Sequence, residues 1–158
     1  MTREIGLIAD THGLVRPDVY TALAGVELIL HAGDVGGEEI LAELEVIAPV
    51  RAVYGNTDPR DHGALVDALD LDFDGVSVHV SHGHEVGRPS PKALAAAYAA
   101  DVIVYGHTHR QRVDVVDGRL VVNPGAAGAR RFDIAPSVAR LRITAGTPTV
   151  TIIPLAGE

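Results

Sequence analysis

Hydrophobic and polar positions along this chain follow two regimes. In the first, short apolar runs alternate with amphipathic stretches: Ile5-Gly6-Leu7-Ile8-Ala9, Val26 to Leu30 and Val50-Arg51-Ala52-Val53-Tyr54 read as strands. Pro17 and Gly25 bracket a helix through Asp18-Val19-Tyr20-Thr21-Ala22-Leu23, because proline suits the first helical turn and glycine the residue past the last. Glu38 to Ile47 sets Ile40, Leu41, Leu44 and Ile47 on one helical face, with Glu38, Glu39, Glu43 and Glu45 mostly on the solvated side, and Pro49 stops it. A β-α-β-α-β order of this kind implies a parallel sheet.

From Asp70 the period falls to two. Leu71-Asp72-Phe73 and Val76-Ser77-Val78-His79-Val80 flank Asp74-Gly75, and Val113 to Val116 and Arg119 to Val122 flank Asp117-Gly118, both strong hairpin signals. Between them Ser90-Pro91 opens an alanine-rich helix to about Ala100, followed by the strand Asp101-Val102-Ile103-Val104, apolar on both faces and so buried on both. Near the end Ala139, Leu141 and Ile143 alternate with Arg140 and Arg142, and Val150 to Ile153 pair with them across Ala145-Gly146. The expected fold is α/β (α+β): two mixed β-sheets packed face to face and flanked by helices, in four αββα layers. With no repeat or linker, residues 1–158 are expected to form one domain, long enough to bury roughly two-thirds of its unfolded surface.

Composition narrows the chemistry. Cysteine is absent, which removes disulfides and thiolate metal sites, so any metal must be held by His, Asp, Glu, Asn or backbone oxygen. A formal net charge of −8 with no basic run argues against extended nucleic-acid binding, and two Phe, four Tyr and no Trp leave little for base stacking. Neither a basic leader nor an apolar segment approaching ~18 residues is present, so no membrane association is expected and the expected compartment is the cytoplasm.

The polar residues that remain fall in loops after strands. Tyr105-Gly106-His107-Thr108-His109 follows the buried strand, and residues at i and i+2 of an extended segment project to one side, so the two imidazoles can converge where Gly106 leaves room for a ligand. Asp10-Thr11-His12 repeats the arrangement after the first strand. Ligands of open α/β sheets bind beyond the carboxyl ends of the strands, which puts Asp10, His12, Asp34, Asn56, His82, His107 and His109 on one rim. Seven candidates exceed the needs of one ion. Two divalent ions ~3.5 to 4 Å apart require a bridging carboxylate, for which Asp34, alone between the paired motifs, is the natural choice. Two carboxylates against four metal charges leave roughly +2, an excess suited to a phosphate ester.

The ordered set Asp10-Thr11-His12, Gly33-Asp34, Gly55-Asn56-Thr57-Asp58, His82-Gly83-His84, Gly106-His107-Thr108-His109 and Asn123-Pro124-Gly125 resembles the calcineurin-like metallophosphoesterases, in particular the small single-domain bacterial and archaeal phosphodiesterases. The resemblance implies one metal on Asp10, His12, Asp34 and His109, and another on Asp34, Asn56, His82 and His107. It implies manganese foremost, with iron, nickel or zinc as alternatives, and hydrolysis of a small phosphodiester by in-line attack of a hydroxide bridging the ions.

Larger members of that family carry a histidine after the asparagine ligand as general acid, where this chain has Thr57, far too weakly acidic at neutral pH. His84, two residues beyond His82, is the expected substitute, and Asp58 the expected orienting group, so Asn56, His84 and Asp58 form the expected catalytic set. His31 reads as a packed residue or one that supports a ligand from behind, His62 and His79 as surface residues, and Arg130 and Arg131 as a solvated pair or a phosphate clamp. A phosphomonoesterase or nucleotide pyrophosphatase would use the same site, but a dianionic monoester needs more positive donors than these residues supply. A non-catalytic protein scaffold of the same fold is the third function class, and a homo-oligomer is compatible with all three.

Overall fold

The computed structural model describes residues 2–130 and 133–155. In chain order the elements are β1 (Thr2–Ile8), α1 (Pro17–Ala22), β2 (Leu28–His31), α2 (Glu38–Glu45), β3 (Val50–Val53), β4 (Leu65–Val66), β5 (Leu69–Phe73), β6 (Val76–Val80), α3 (Pro91–Ala97), β7 (Val102–Val104), β8 (Arg112–Val116), β9 (Arg119–Asn123), β10 (Ser137–Thr144) and β11 (Thr147–Pro154). They build two mixed sheets, one in the order β11-β10-β1-β2-β3-β4 and the other β5-β6-β7-β9-β8. Strands β1 to β4 are parallel, as are β6, β7 and β9, while hairpin partners add antiparallel edges. This is the sandwich of mixed sheets expected from the sequence.

Strand alternation explains the layering. Ile5, Leu7 and Leu30 meet Val78, Val80, Val102, Val104 and Val122 between the sheets. Ile8 and Ile29 face the other way, where α1 and α2 cover them with Val19, Leu23, Ile40 and Leu44. Ile103 and Val121 likewise lie under Leu94 and Ala95 of α3. Each such fully buried aliphatic side chain stabilises the fold by about 1.5–3 kcal/mol before entropy is counted. Among the described residues no helix is long and apolar enough to cross a membrane.

The three hairpins close on Asp74-Gly75, Asp117-Gly118 and Ala145-Gly146, with positive φ at both residues of each turn. Ser90 caps α3 by accepting the Ala93 N–H at 3.1 Å. That helix is shorter than its alanine content suggests, because Tyr98 turns extended and stacks on His79 with ring centroids 3.8 Å apart. Strand β4 escapes a reading by periodicity, since two residues carry no period.

Two histidines expected at the surface are buried. His79 is only 4% exposed. It does project from the outer face of its sheet, but Tyr98 covers the ring and the Asp70 carboxylate pairs with Nδ1 at 2.8 Å. His62 is 7% exposed, its Nδ1 taking the Ala64 N–H and its carbonyl the Tyr54 hydroxyl. Local sequence gave no sign of these tertiary covers. The glutamates of α2 are exposed as expected, as is Arg130, whereas Arg131 lies outside the described residues.

Candidate metal centre

Parallel strands deliver the polar loops to one edge. The segment after β1 runs beside the segment after β2, with Asp10 N–H donating to Gly33 O, His12 N–H to Asp34 O and Gly13 N–H to Val35 O. From the other sheet, Gly106 N–H donates to His82 O, joining the loops after β6 and β7. Five of the seven residues expected as ligands adopt left-handed backbone conformations: Asp10, His12, Asp34, His107 and His109, with φ of 52°, 45°, 55°, 72° and 64°. Such φ values are uncommon outside Gly, Asp and His being among the types that adopt them most readily, and they carry strain that persists only where the surroundings enforce it.

Each carboxylate is aimed by a backbone N–H. Thr57 N–H binds Asp34 Oδ1 at 2.9 Å, leaving Oδ2 3.3 Å from His82 Nε2 and 3.6 Å from His12 Nε2. His107 N–H binds Asp10 Oδ2 at 3.1 Å, and Oδ1 lies 3.6 Å from His109 Nε2, 3.9 Å from His12 Nε2 and 3.8 Å from His82 Nε2. Asn56 Oδ1 stands 3.1 Å from both His82 Nε2 and His107 Nδ1. All seven expected residues therefore join one cluster. His107 and His109 do not converge on a single point as an extended segment would make them, because their left-handed backbone turns one toward Asn56 and the other toward Asp10.

Close approach depends on missing side chains. A Cβ at Gly106 would come within 2.9 Å of Asp10 Oδ2, and one at Gly55 would collide with the Asp34 carboxylate. Asp58 clamps the frame from beneath. Its carboxylate accepts Val35 N–H at 2.9 Å, Gly55 N–H at 2.8 Å and Gly36 N–H at 3.3 Å, so it ties the Asp34 loop to the Asn56 loop. His84 stands beside the cluster, its ring centroid 5.2 Å from that of His82 and 6.2 Å from that of His107.

The donor chemistry fits a cation. His82 commits its Nδ1–H to Ala32 O at 2.8 Å, so in the neutral ring the Nε2 lone pair faces Asp34 Oδ2 and Asn56 Oδ1, three acceptors that need positive charge among them. Burial pulls the His82 pKa down, but the hydrogen bond to Asp34 and the charges of Asp10 and Asp34 outweigh it, and the net shift is upward. Burial alone would push the Asp34 pKa up; His82 and the Thr57 N–H bring it well below the usual carboxylate range. The His107 pKa is lowered, first by burial and then by its neighbour His82. One donor atom each from Asp10, His12 and His109 lies within 4.8 Å of the others, and the same holds for Asp10, Asp34 and His82.

Residues 4–146 match the calcineurin-like phosphoesterase superfamily domain. The chain belongs to that superfamily. It is 36% identical over 148 residues to a probable metallophosphoesterase of Methanothermobacter thermautotrophicus, across 88% of this chain and 85% of the relative. A phosphodiesterase of Methanocaldococcus jannaschii is 29% identical over 140 residues, 77% of this chain and 82% of its own length. Among solved structures, wild-type Vps29 of Entamoeba histolytica in complex with Zn2+ shares the fold at a TM-score of 0.75 and 21% identity, covering 96% of this chain and 98% of that one. Membership supports hydrolase activity in general terms, and the calcineurin-like fold implies divalent-metal binding.

The backbone groups that aim the site were out of reach of motif reading. Thr57 N–H, His107 N–H and Ala32 O act through the main chain, which carries no residue signature. His31 was readable as packed, and it is fully buried; its partners, described below, were not.

Proposed function

We propose that the chain hydrolyses phosphodiesters with two divalent cations, one on Asp10, His12, Asp34 and His109 and the other on Asp34, Asn56, His82 and His107. The observation that carries this reading is the single Asp34 oxygen, Oδ2, within 3.3 Å of His82 Nε2 and 3.6 Å of His12 Nε2, where one carboxylate can serve both sets of ligands. When bound, two such ions would acidify a water nucleophile and neutralise phosphate charge. A set of carboxylate, amide and imidazole donors without sulfur suits manganese, with iron, nickel or zinc also compatible.

The chain's own groups supply the rest. Asp34 and Asp10 are held with one oxygen on a backbone N–H, so their second oxygens stay turned inward without reorganisation. The exposed Asn56 and half-buried His107 lie at the open side of the cluster, which a small phosphate ester can approach. To His84 we assign the proton given to the leaving oxygen. Thr57 contributes its N–H to Asp34 and no acid of useful strength.

The experiment is hydrolysis of bis(p-nitrophenyl) phosphate by metal-stripped protein titrated with manganese, with Asn56→Ala/His82→Ala alongside. Turnover that requires metal in the wild type and is lost in the variant is the expected result; p-nitrophenyl phosphate, run in parallel, is expected to turn over more slowly. A chain that binds two metals and turns nothing over would leave the scaffold reading, and one that binds none would refute the ligand assignment.

A further inference from the structure

Both paired motifs have threonine between their two ligands, and in both the hydroxyl is anchored. Thr11 is fully buried between Asp10 and His12. Its Oγ1 donates to Val35 O at 2.7 Å and meets His31 Nε2 at 2.9 Å. The direction of that second bond is fixed, because Gly33 N–H donates to His31 Nδ1 at 3.1 Å; Nδ1 is the acceptor, so Nε2 carries the hydrogen and donates to Thr11.

The second motif repeats the device with different parts. Thr108 Oγ1, between His107 and His109, accepts from Asn123 Nδ2 at 3.0 Å and from Arg110 N–H at 3.3 Å. Asn123 is fully buried and is oriented by Gly125 N–H on its Oδ1 at 2.9 Å and by its own donation to Gly106 O at 3.2 Å. This gives the Asn123-Pro124-Gly125 loop a task that its sequence did not reveal. His31 and Asn123 are thus two fully buried polar side chains that neither expected ligand set employs, each ending on a threonine hydroxyl inside a ligand pair.

We propose that Thr11 with His31, and Thr108 with Asn123, are positioning residues that hold the two ligand pairs in their left-handed conformations, and that they set metal affinity without touching metal. This rests on the metal-centre reading above. The four flanking ligands have φ of 45° to 72°, a conformation that non-glycine residues leave unless the surroundings hold them. Release of the hydroxyl allows Asp10 and His12, or His107 and His109, to relax toward ordinary backbone angles, and the donor atoms then diverge.

The test is calorimetric titration of metal-stripped protein with MnCl2 and, separately, ZnCl2, comparing wild type with Thr11→Val, Thr11→Ser, Thr108→Val and Thr108→Ser, each also melted by circular dichroism. Valine keeps the shape and removes the hydroxyl; serine keeps the hydroxyl. Each valine variant is expected to lose metal affinity about tenfold to a hundredfold, as loss of groups that orient ligands generally causes, and each serine variant to stay within about twofold of wild type. Valine variants that bind metal as the wild type does, whatever their melting temperature, would overturn the proposal. If Thr11→Val does not fold, the half-buried Thr108 decides. A wild-type chain that binds no metal overturns the site reading and this one with it, whereas wild-type binding with unaffected valine variants overturns this one alone.

Discussion

Replacement of Asp58 by alanine should cost the protein a large part of its stability as well as its chemistry. Asp58 is 7% exposed, and its carboxylate takes three backbone N–H groups, from Val35, Gly36 and Gly55. A hydrogen bond to a charged group contributes about 1.5–3 kcal/mol, and a buried N–H left unsatisfied costs a similar amount. Three bonds set an upper limit near ~9 kcal/mol, but they share one carboxylate and are not additive. Water entering the vacated space restores part, so about 3–5 kcal/mol is the expected loss, out of the ~5–15 kcal/mol typical of a domain. For a chain of this size each kcal/mol moves the melting temperature by about 2–4 °C, which gives a fall of roughly 10 °C. Scanning calorimetry on metal-stripped wild type and Asp58→Ala measures it. A drop of less than about 3 °C would mean that the two loops are held by something else and would refute the clamp assigned to Asp58.

Other expectations follow from the same geometry. His84→Gln should slow alkyl phosphodiesters more than nitrophenyl ones, because nitrophenolate leaves without a proton; an equal loss on both substrates would remove His84 as the acid. Burial lowers the His31 pKa to about 3, below the ~6.5 of an unfolded chain, so its contribution is complete above pH ~6.5 and is lost as pH falls toward 3. Between pH 6.5 and 5 the wild type should lose about 2 kcal/mol more than His31→Asn in urea melts, and parallel slopes would contradict this. Chelation should abolish turnover and lower the melting temperature, and manganese at about a hundred times its dissociation constant should restore about 2.7 kcal/mol for each site it fills; a melting temperature indifferent to manganese would count against a bound ion.

Much of the fold could be read from the sequence because its signals were local. Gly25, Pro17, Ser90-Pro91, Asp74-Gly75 and Asp117-Gly118 act through their own φ angles or caps, and Val102 to Val104 announce burial on both faces by composition alone. Asp10, His12, Asp34, Asn56, His82, His107 and His109 were likewise visible as polar residues interrupting strand ends. What could not be read depends on contacts between distant parts of the chain. Alternation in β6 sends His79 outward, and only the stacking of Tyr98 and the pairing with Asp70 bury it. Extended geometry would bring His107 and His109 together, whereas their left-handed backbone separates them. Hydrogen bonds from Thr57 N–H and His107 N–H are invisible at the level of side-chain type.

The way the two aspartates are aimed separates the architecture of the rim from its cargo. Asp10 follows a strand of one sheet and receives its N–H from His107, which follows a strand of the other, so the sandwich is laced shut across its working edge by a bond between protein groups alone. A lineage descending from such a chain could forfeit an imidazole, and with it turnover, while the seam and the body it joins endured. Durability of the frame and loss of the reaction would then be independent events.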